Sequence, residues 1–197
     1  MEARKVFDLL PNRNIVSWGA MIGGYAQCGE GFSALFLFEK LQCDGLKPDK
    51  WLLSHALKAC ESIGLLKYCR VLHDLLIKTS VDSDILIGNA LIEVYGIQGS
   101  LTEGYNSFKK LNRKNTDSWN ALIEGYAVNG HPLRVIELFE EMQRDGIEPD
   151  KALFSSILKA CGTVGDIEHG KMIHDQVKKN GYEYDTIIGN TLIDMYA

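Results

Sequence analysis

Apolar residues recur along this chain at the spacing of a helix face. Over 116–150, Trp119, Leu122, Ile123 and Tyr126 fall at i, i+3, i+4 and i+7, and Val135, Leu138, Phe139 and Met142 repeat the pattern. Each set forms one stripe of a 3.6-residue period, so the segment reads as two amphipathic helices. Gly130 is placed to end the first, Pro132 suits the first turn of the second, and Gly146 followed by Pro149 closes it. Trp18 and Trp119 share the stripes of Ile22 and Ile123 and are expected in the core.

The pattern repeats along the chain. Ser17-Trp-Gly-Ala-Met-Ile-Gly-Gly-Tyr-Ala26 returns as Ser118-Trp-Asn-Ala-Leu-Ile-Glu-Gly-Tyr-Ala127, an offset of 101 residues. The same offset carries Leu57-Lys-Ala-Cys60 onto Leu158-Lys-Ala-Cys161 and Gly88-Asn-Ala-Leu-Ile92 onto Gly189-Asn-Thr-Leu-Ile193. Gly45-Leu-Lys-Pro-Asp49 and Gly146-Ile-Glu-Pro-Asp150 mark a unit end, which divides the chain at 15–49, 50–84, 85–115, 116–150 and 151–185. Partial units flank these at 1–14, a second helix, and 186–197, a first helix. Lengths of 35, 35 and 31 residues make one triplet. A lone helical hairpin cannot bury its apolar stripe, so neighbouring hairpins must stack and share a core. The expected fold is all-α, a right-handed α-solenoid of helix-turn-helix repeats, cut within a unit at both ends from a longer array. Uncapped terminal helices of this kind invite end-to-end self-association.

The motifs Val-Ser-Trp-x-Ala-Met/Leu-Ile-x-Gly-Tyr-Ala (from Val16, and from Ser118 in the second copy), Leu-Phe-Glu (Leu37 and Leu138) and Gly-x-x-Pro-Asp (Gly45 and Gly146) resemble the plant pentatricopeptide repeat, or PPR. The resemblance spans nearly the whole chain, and the 35, 35, 31 alternation is similar to the P, L and S motifs of the PLS subclass. By that resemblance 15–49 and 116–150 are P repeats, 50–84 and 151–185 are L repeats and 85–115 is an S repeat, with part of an S at each end. It implies one-base-per-repeat recognition of single-stranded RNA in mitochondria, the first expectation, or chloroplasts, within factors for C-to-U editing or RNA processing. It also implies docking of small organellar editing-factor proteins at the L repeats.

In that family the fifth and last residues of a repeat read a base edge, and the second residue helps to sandwich the base. Carried over, the base-edge pairs are Gly19 with Asp49, Ser54 with Asp84, Asn89 with Asn115, Asn120 with Asp150, and Ser155 with Asp185. Asn190 belongs to the last partial unit and Asn14 to the first. The sandwich residues are Val16, Trp51, Leu86, Asp117, Ala152 and Ile187. An Asp accepts only, whereas an Asn amide also donates. Asn120 with Asp150 is therefore expected to prefer uracil, which carries a hydrogen on N3, and Asn89 with Asn115 to accept pyrimidines with cytosine, which offers a lone pair there, favoured. The resemblance implies a looser code in L repeats, so Ser54 with Asp84 and Ser155 with Asp185 are assigned no base. The alternative for Asn89, Asn120 and Asn190, and for the four aspartates, is helix-start capping.

Charge tempers the expectation. A net charge of −5 is not the basic footprint of a protein that grips phosphate with its whole surface. Gly19 offers no amide, Asp117 is anionic where an apolar shelf is expected, and the position at which family members carry a phosphate-contacting lysine holds Gln27, Ser62, Ile97, Val128 and Thr163. Tight binding by this stretch alone is not expected. The five cysteines include no CxxC pair and read as structural, with Cys60 and Cys161 as small apolar fillers. His73 and His174 read as packing or hydrogen-bonding residues. Walker, GxSxG and HExxH signatures and the zinc deaminase pattern are missing, so neither enzymatic activity nor a cofactor is expected. The first ten residues read as a helix face rather than a leader, and no apolar run is long enough to span a bilayer. A protein-binding solenoid of tetratricopeptide type is the competing reading, but its period of about 34 residues and its Trp-x-x-Leu-Gly-x-x-Tyr signature do not fit.

Overall fold

The computed structural model describes residues 2–197, which form twelve α-helices and no strand among the described residues. Six are first helices of a hairpin: α2 (Ile15–Gln27), α4 (Lys50–Ile63), α6 (Ile85–Ile97), α8 (Thr116–Val128), α10 (Lys151–Val164) and α12 (Thr186–Tyr196). The second helices are α1 (Glu2–Leu9), α3 (Gly31–Cys43), α5 (Leu66–Lys78), α7 (Leu101–Lys110), α9 (Pro132–Arg144) and α11 (Ile167–Lys179).

Every first helix starts on a capping side chain. Asn14, Asp49, Asp84, Asn115, Asp150 and Asp185 each accept a hydrogen bond from a backbone N–H of the turn that follows. Asn14 and Asn115 form full capping boxes with Ser17 and Ser118. Each cap contributes about 1 kcal/mol and fixes where its helix begins. Left-handed glycines end the helices, among them Gly130 (φ 76°) after α8 and Gly146 (φ 72°) after α9, and Pro132 opens α9.

The unit at 85–115 is short because of its second helix. α3 and α7 both begin at the seventeenth residue of their units, but α3 runs 13 residues and α7 only 10. Most of the shortfall is one lost turn on the outer side of the hairpin.

Each first helix packs on the next, from α2 through α12, whereas among the described residues no two second helices bring their backbones together. The first helices therefore form one continuous ribbon, with the second helices covering its back. The tightest step is α6 on α8, where a Cβ on Gly96 would lie 2.9 Å from the Cα of Gly125.

The core runs between the layers. Trp18 and Trp119 are buried, each edge-on to a phenylalanine of the preceding second helix, with ring centroids 4.9 Å apart for Phe7 and Trp18 and 4.6 Å for Phe108 and Trp119. Cys60, Cys69 and Cys161 are buried too, and burial pushes their thiols up to about 12, 11 and 11, so they are packed apolar groups rather than nucleophiles. Cys28 and Cys43 are exposed. His73 Nδ1 lies 2.8 Å from the Tyr95 hydroxyl and His174 Nδ1 lies 3.0 Å from that of Tyr196, a contact made in both triplets. Burial, then the nearby Lys110 charge, lowers the His73 pKa. Among the described residues no helix is long and apolar enough to cross a membrane, and no cluster of side chains is suited to hold a metal ion.

Candidate nucleic-acid interface

The last residue of one unit caps the first helix of the next, and the fifth residue lies just over one turn into its own first helix. Because consecutive first helices lie side by side, these two positions meet. Asn120 on α8 donates through Nδ2 to Asp150 Oδ2 at 2.6 Å, while Asp150 Oδ1 caps the Leu153 N–H at 2.9 Å. The Asn120 Oδ1 is buried with no protein partner. The pair thus leaves acceptors uncommitted: that oxygen and the remaining lone pairs of the carboxylate.

Asn89 and Asn115 also meet, with Nδ2 of the first 3.4 Å from Oδ1 of the second. Here the Ser118 hydroxyl lies 2.7 Å from Asn89 Oδ1, and Asn115 Nδ2 donates to Asp117 at 3.2 Å. The Ser118 hydroxyl is also 2.8 Å from Asn115 Oδ1, so its single hydrogen serves one of the two oxygens, and each amide keeps one uncommitted N–H.

Gly19 brings no side chain to Asp49, which caps the Leu52 N–H at 2.9 Å. Ser54 is half-buried, and Asp84 caps the Leu86 N–H at 3.0 Å. Ser155 is buried and its hydroxyl lies 3.2 Å from that of Thr191 on α12, away from Asp185, which caps the N–H groups of Ile187 and Ile188. Asn190 is exposed on α12.

The capping alternative for the asparagines is excluded. Asn89, Asn120 and Asn190 are not helix caps, because Asp84, Asn115 and Asp185 occupy the cap positions and the asparagines lie at the fifth helical residue. The aspartates, by contrast, do cap.

The second residues line the same ribbon face. Val16, Trp51 and Ile187 are 73%, 61% and 63% exposed. Asp117 and Ala152 are exposed and Leu86 is half-buried. Between α6 and α8 a cavity of about 450 Å³ opens onto this face, lined by Asn89, Glu93, Asp117, Asn120, Glu124 and Val128 among others. Three of its lining residues are acidic and none is basic. The groove between α8 and α10 is about 260 Å³ and includes Lys159 opposite Glu124.

Two groups of residues on this face escaped the sequence reading. Glu93 and Glu124 set the sign of the α6–α8 groove, and their signal was a position shared across units, nine residues from each unit start, where 50–84 and 151–185 instead carry Lys58 and Lys159. Lys50 and Lys151 reach the last residues of their units; their signal was recurrence directly after Pro-Asp at the 101-residue offset.

A PPR repeat family profile matches residues 114–163, and a second PPR repeat profile matches residues 16–46. A mitochondrial pentatricopeptide repeat-containing protein of Arabidopsis thaliana is 39% identical over all of this chain, which covers 22% of that protein, and a chloroplastic one is 35% identical over 99%, again covering 22%. The chain thus spans about a fifth to a third of the length of the curated relatives it matches. Among solved structures, maize pentatricopeptide repeat protein PPR10 superposes on 93% of this chain and 27% of its own at a TM-score of 0.70 and 21% identity. A variant of PPR10 in complex with an 18-nt psaJ RNA element reaches 0.79 at 13% identity, over 99% of this chain and 29% of that one. The PPR domain of Arabidopsis protein-only RNase P 1, in complex with tRNA, reaches 0.73 at 11% identity, over 89% and 94%. At such identities these structures speak for the fold, an all-helical repeat solenoid. The profiles, the relatives and the stacked hairpins agree: residues 16–46 and 114–163 are pentatricopeptide repeats, in a chain built throughout of the same helical hairpins.

Proposed function

We propose that the first-helix face reads single-stranded RNA one base per unit, through the fifth and last residues, and that the chain serves an organellar factor for C-to-U editing or RNA processing. The units are assigned as P (15–49 and 116–150), L (50–84 and 151–185) and S (85–115), with partial S units at 1–14 and 186–197. The observation that carries this reading is Asn120 joined to Asp150 at 2.6 Å beside an open cavity, with a spare acceptor buried and unpartnered. A group left so is costly until a donor arrives. Uracil N3–H is such a donor, and cytosine N3 is not, so uracil is the base assigned to 116–150. The spare N–H groups at Asn89 and Asn115 suit cytosine at 85–115. Exposed Val16, Trp51 and Ile187 supply apolar surface on which bases pack.

The names of the relatives, mitochondrial in one case and chloroplastic in another, support an organellar site of action. A protein partner is the second reading, an editing-factor protein at the L repeats, favoured by the exposed Val71 and Ile77 on α5 and Met172 on α11.

The test is a panel of short single-stranded RNAs varied at the base facing Asn120 and Asp150. Wild type is expected to favour uracil about three- to tenfold, the worth of one hydrogen bond, and Asp150→Asn to shift the preference toward cytosine. Asn caps a helix as well as Asp, so the variant keeps the fold. Equal weak binding of every RNA, or none at any salt while a protein partner binds, would replace this reading by the protein-binding one.

A further inference from the structure

The L units handle their last residue differently from the second P unit. Lys50 Nζ lies 3.5 Å from Asp84 Oδ2 and Lys151 Nζ lies 2.8 Å from Asp185 Oδ2, each pair joining the first and last residues of one unit. The other carboxylate oxygen of each aspartate caps the following helix. Lysine begins no other complete unit: the corresponding residues are Ile15, Ile85 and Thr116, and the Thr116 hydroxyl donates to the Glu148 carbonyl. The fifth residue of an L unit is serine, and that of 151–185 turns its hydroxyl into the core toward Thr191. Thus an amide orients Asp150, whereas an ammonium holds Asp84 and Asp185.

Resting on the RNA reading, we propose that Lys50 and Lys151 are specificity-determining residues that withdraw Asp84 and Asp185 from uracil selection and let the L units accept either pyrimidine. At the second P unit the uncommitted groups are acceptors, which reward N3–H and leave the cytosine lone pair unmatched. An L unit presents an ion pair instead. The ammonium has three N–H donors, of which the aspartate uses one, and the Lys151 side chain is 49% exposed, so the others stay in reach of a ligand. A donor and an acceptor side by side match both N3–H and a lone pair. Consistent with this, the hydrogen bond from Lys151 and those from the Ile188 and Ile187 N–H groups hold the Asp185 carboxyl below its usual range, while the same ion pair raises the Lys151 pKa.

The experiment measures, by fluorescence anisotropy, binding of single-stranded RNAs that differ only by uracil or cytosine opposite 50–84 or 151–185. Wild type is expected to discriminate less than about twofold at both sites. Lys151→Met and Lys50→Met are expected to create a uracil preference of about three- to tenfold, each at its own site, with the ratio opposite 116–150 unchanged. Lys151→Arg, which keeps the charge, should behave as wild type. Carboxylate carbon shifts in Lys151→Met, recorded without RNA, should show Asp185 titrating at higher pH than in wild type. If the variants bind RNA with wild-type base ratios, the lysines do not set specificity and the RNA reading stands. If wild type already selects uracil strongly at the L units, the proposal is overturned. Absence of RNA binding by every form overturns the RNA reading and this proposal together.

Discussion

The chain carries nearly two copies of one triplet, and the copies differ in an uneven way. Residues that hold the scaffold recur: Phe7 against Trp18 matches Phe108 against Trp119, and His73 with Tyr95 matches His174 with Tyr196. On the first-helix face the copies diverge. Gly19 stands where Asn120 does, Val16 where Asp117 does, Gly23 where Glu124 does, and Trp51 where Ala152 does. The outer helices vary as well, Phe36 standing against Glu137 and Cys43 against Arg144, while the core contacts and the caps hold. What the triplet fixes is its scaffold, and both surfaces are free to change.

The sharpest way to test that contrast is at a pair of matched glycines. Gly125 touches Gly96 on the neighbouring helix, and a Cβ there would lie 3.0 Å from the Gly96 Cα. Gly24, its counterpart on α2, has nothing within 4 Å of an added Cβ. Gly125→Ala should cost about 1–3 kcal/mol because two backbones must separate. Gly24→Ala in this 197-residue chain should instead gain up to about 1 kcal/mol, the helix propensity of alanine over glycine. Urea denaturation of the two variants decides it; equal effects would mean that the α6–α8 approach is not close.

The next contrast is between the units 15–49 and 116–150. Exchanging their fifth residues, Gly19→Asn in one variant and Asn120→Gly in another, should move uracil selection from the second unit to the first, by about 0.5–1.5 kcal/mol at each. Retained selection in Asn120→Gly would assign it to Asp150 alone.

The smallest effect is a pH dependence that one triplet has and the other lacks. His169 lies 2.7 Å from Asp166 and 3.1 Å from Glu140, whereas the matching pair is Tyr68 and Glu39, 2.6 Å apart. Burial works against a charged His169, but its bonds to Asp166 and Glu140 outweigh it and raise its pKa above 6.5. That contribution to stability is complete below 6.5 and is lost as pH rises through the raised value. Tyr68, raised by burial and then by its bond to Glu39, stays neutral throughout. His169→Tyr should therefore remove a few tenths of a kcal/mol of pH dependence, about the worth of a part-exposed pair, measured as the difference in denaturation midpoint on either side of pH 6.5. An unchanged slope would mean that folding leaves the His169 pKa where it stands in the unfolded chain.

Much of the fold was legible because its signals are local. Pro-Asp before an apolar stripe is a cap, Gly130 with Pro132 is a turn, and the recurrence of both gave the period. The pairing of Asn120 with Asp150 was reached only through resemblance, since residues 30 apart are joined by packing of neighbouring units. The rest was not readable. Whether Ser155 faces the groove or the core depends on which rotamer Thr191 leaves open to it, and whether Lys151 reaches Asp185 depends on the step between two helices. Nor does a net charge of −5 reveal that Glu93, Asp117 and Glu124 gather around one cavity.

On the proposed RNA reading, the unit-ending residues both cap a helix and read a base, and that double duty has an evolutionary consequence. Asn and Asp cap a helix equally well, and Ser or Thr nearly so, while Ala gives up about 1 kcal/mol. The side chains able to start the next helix are thus the same small polar set whose donors and acceptors differ. Within that set a unit can exchange one preference for another at almost no expense in folding. The ribbon can therefore acquire a new target by drift at Asp49, Asn115 or Asp150 without first being made more stable elsewhere.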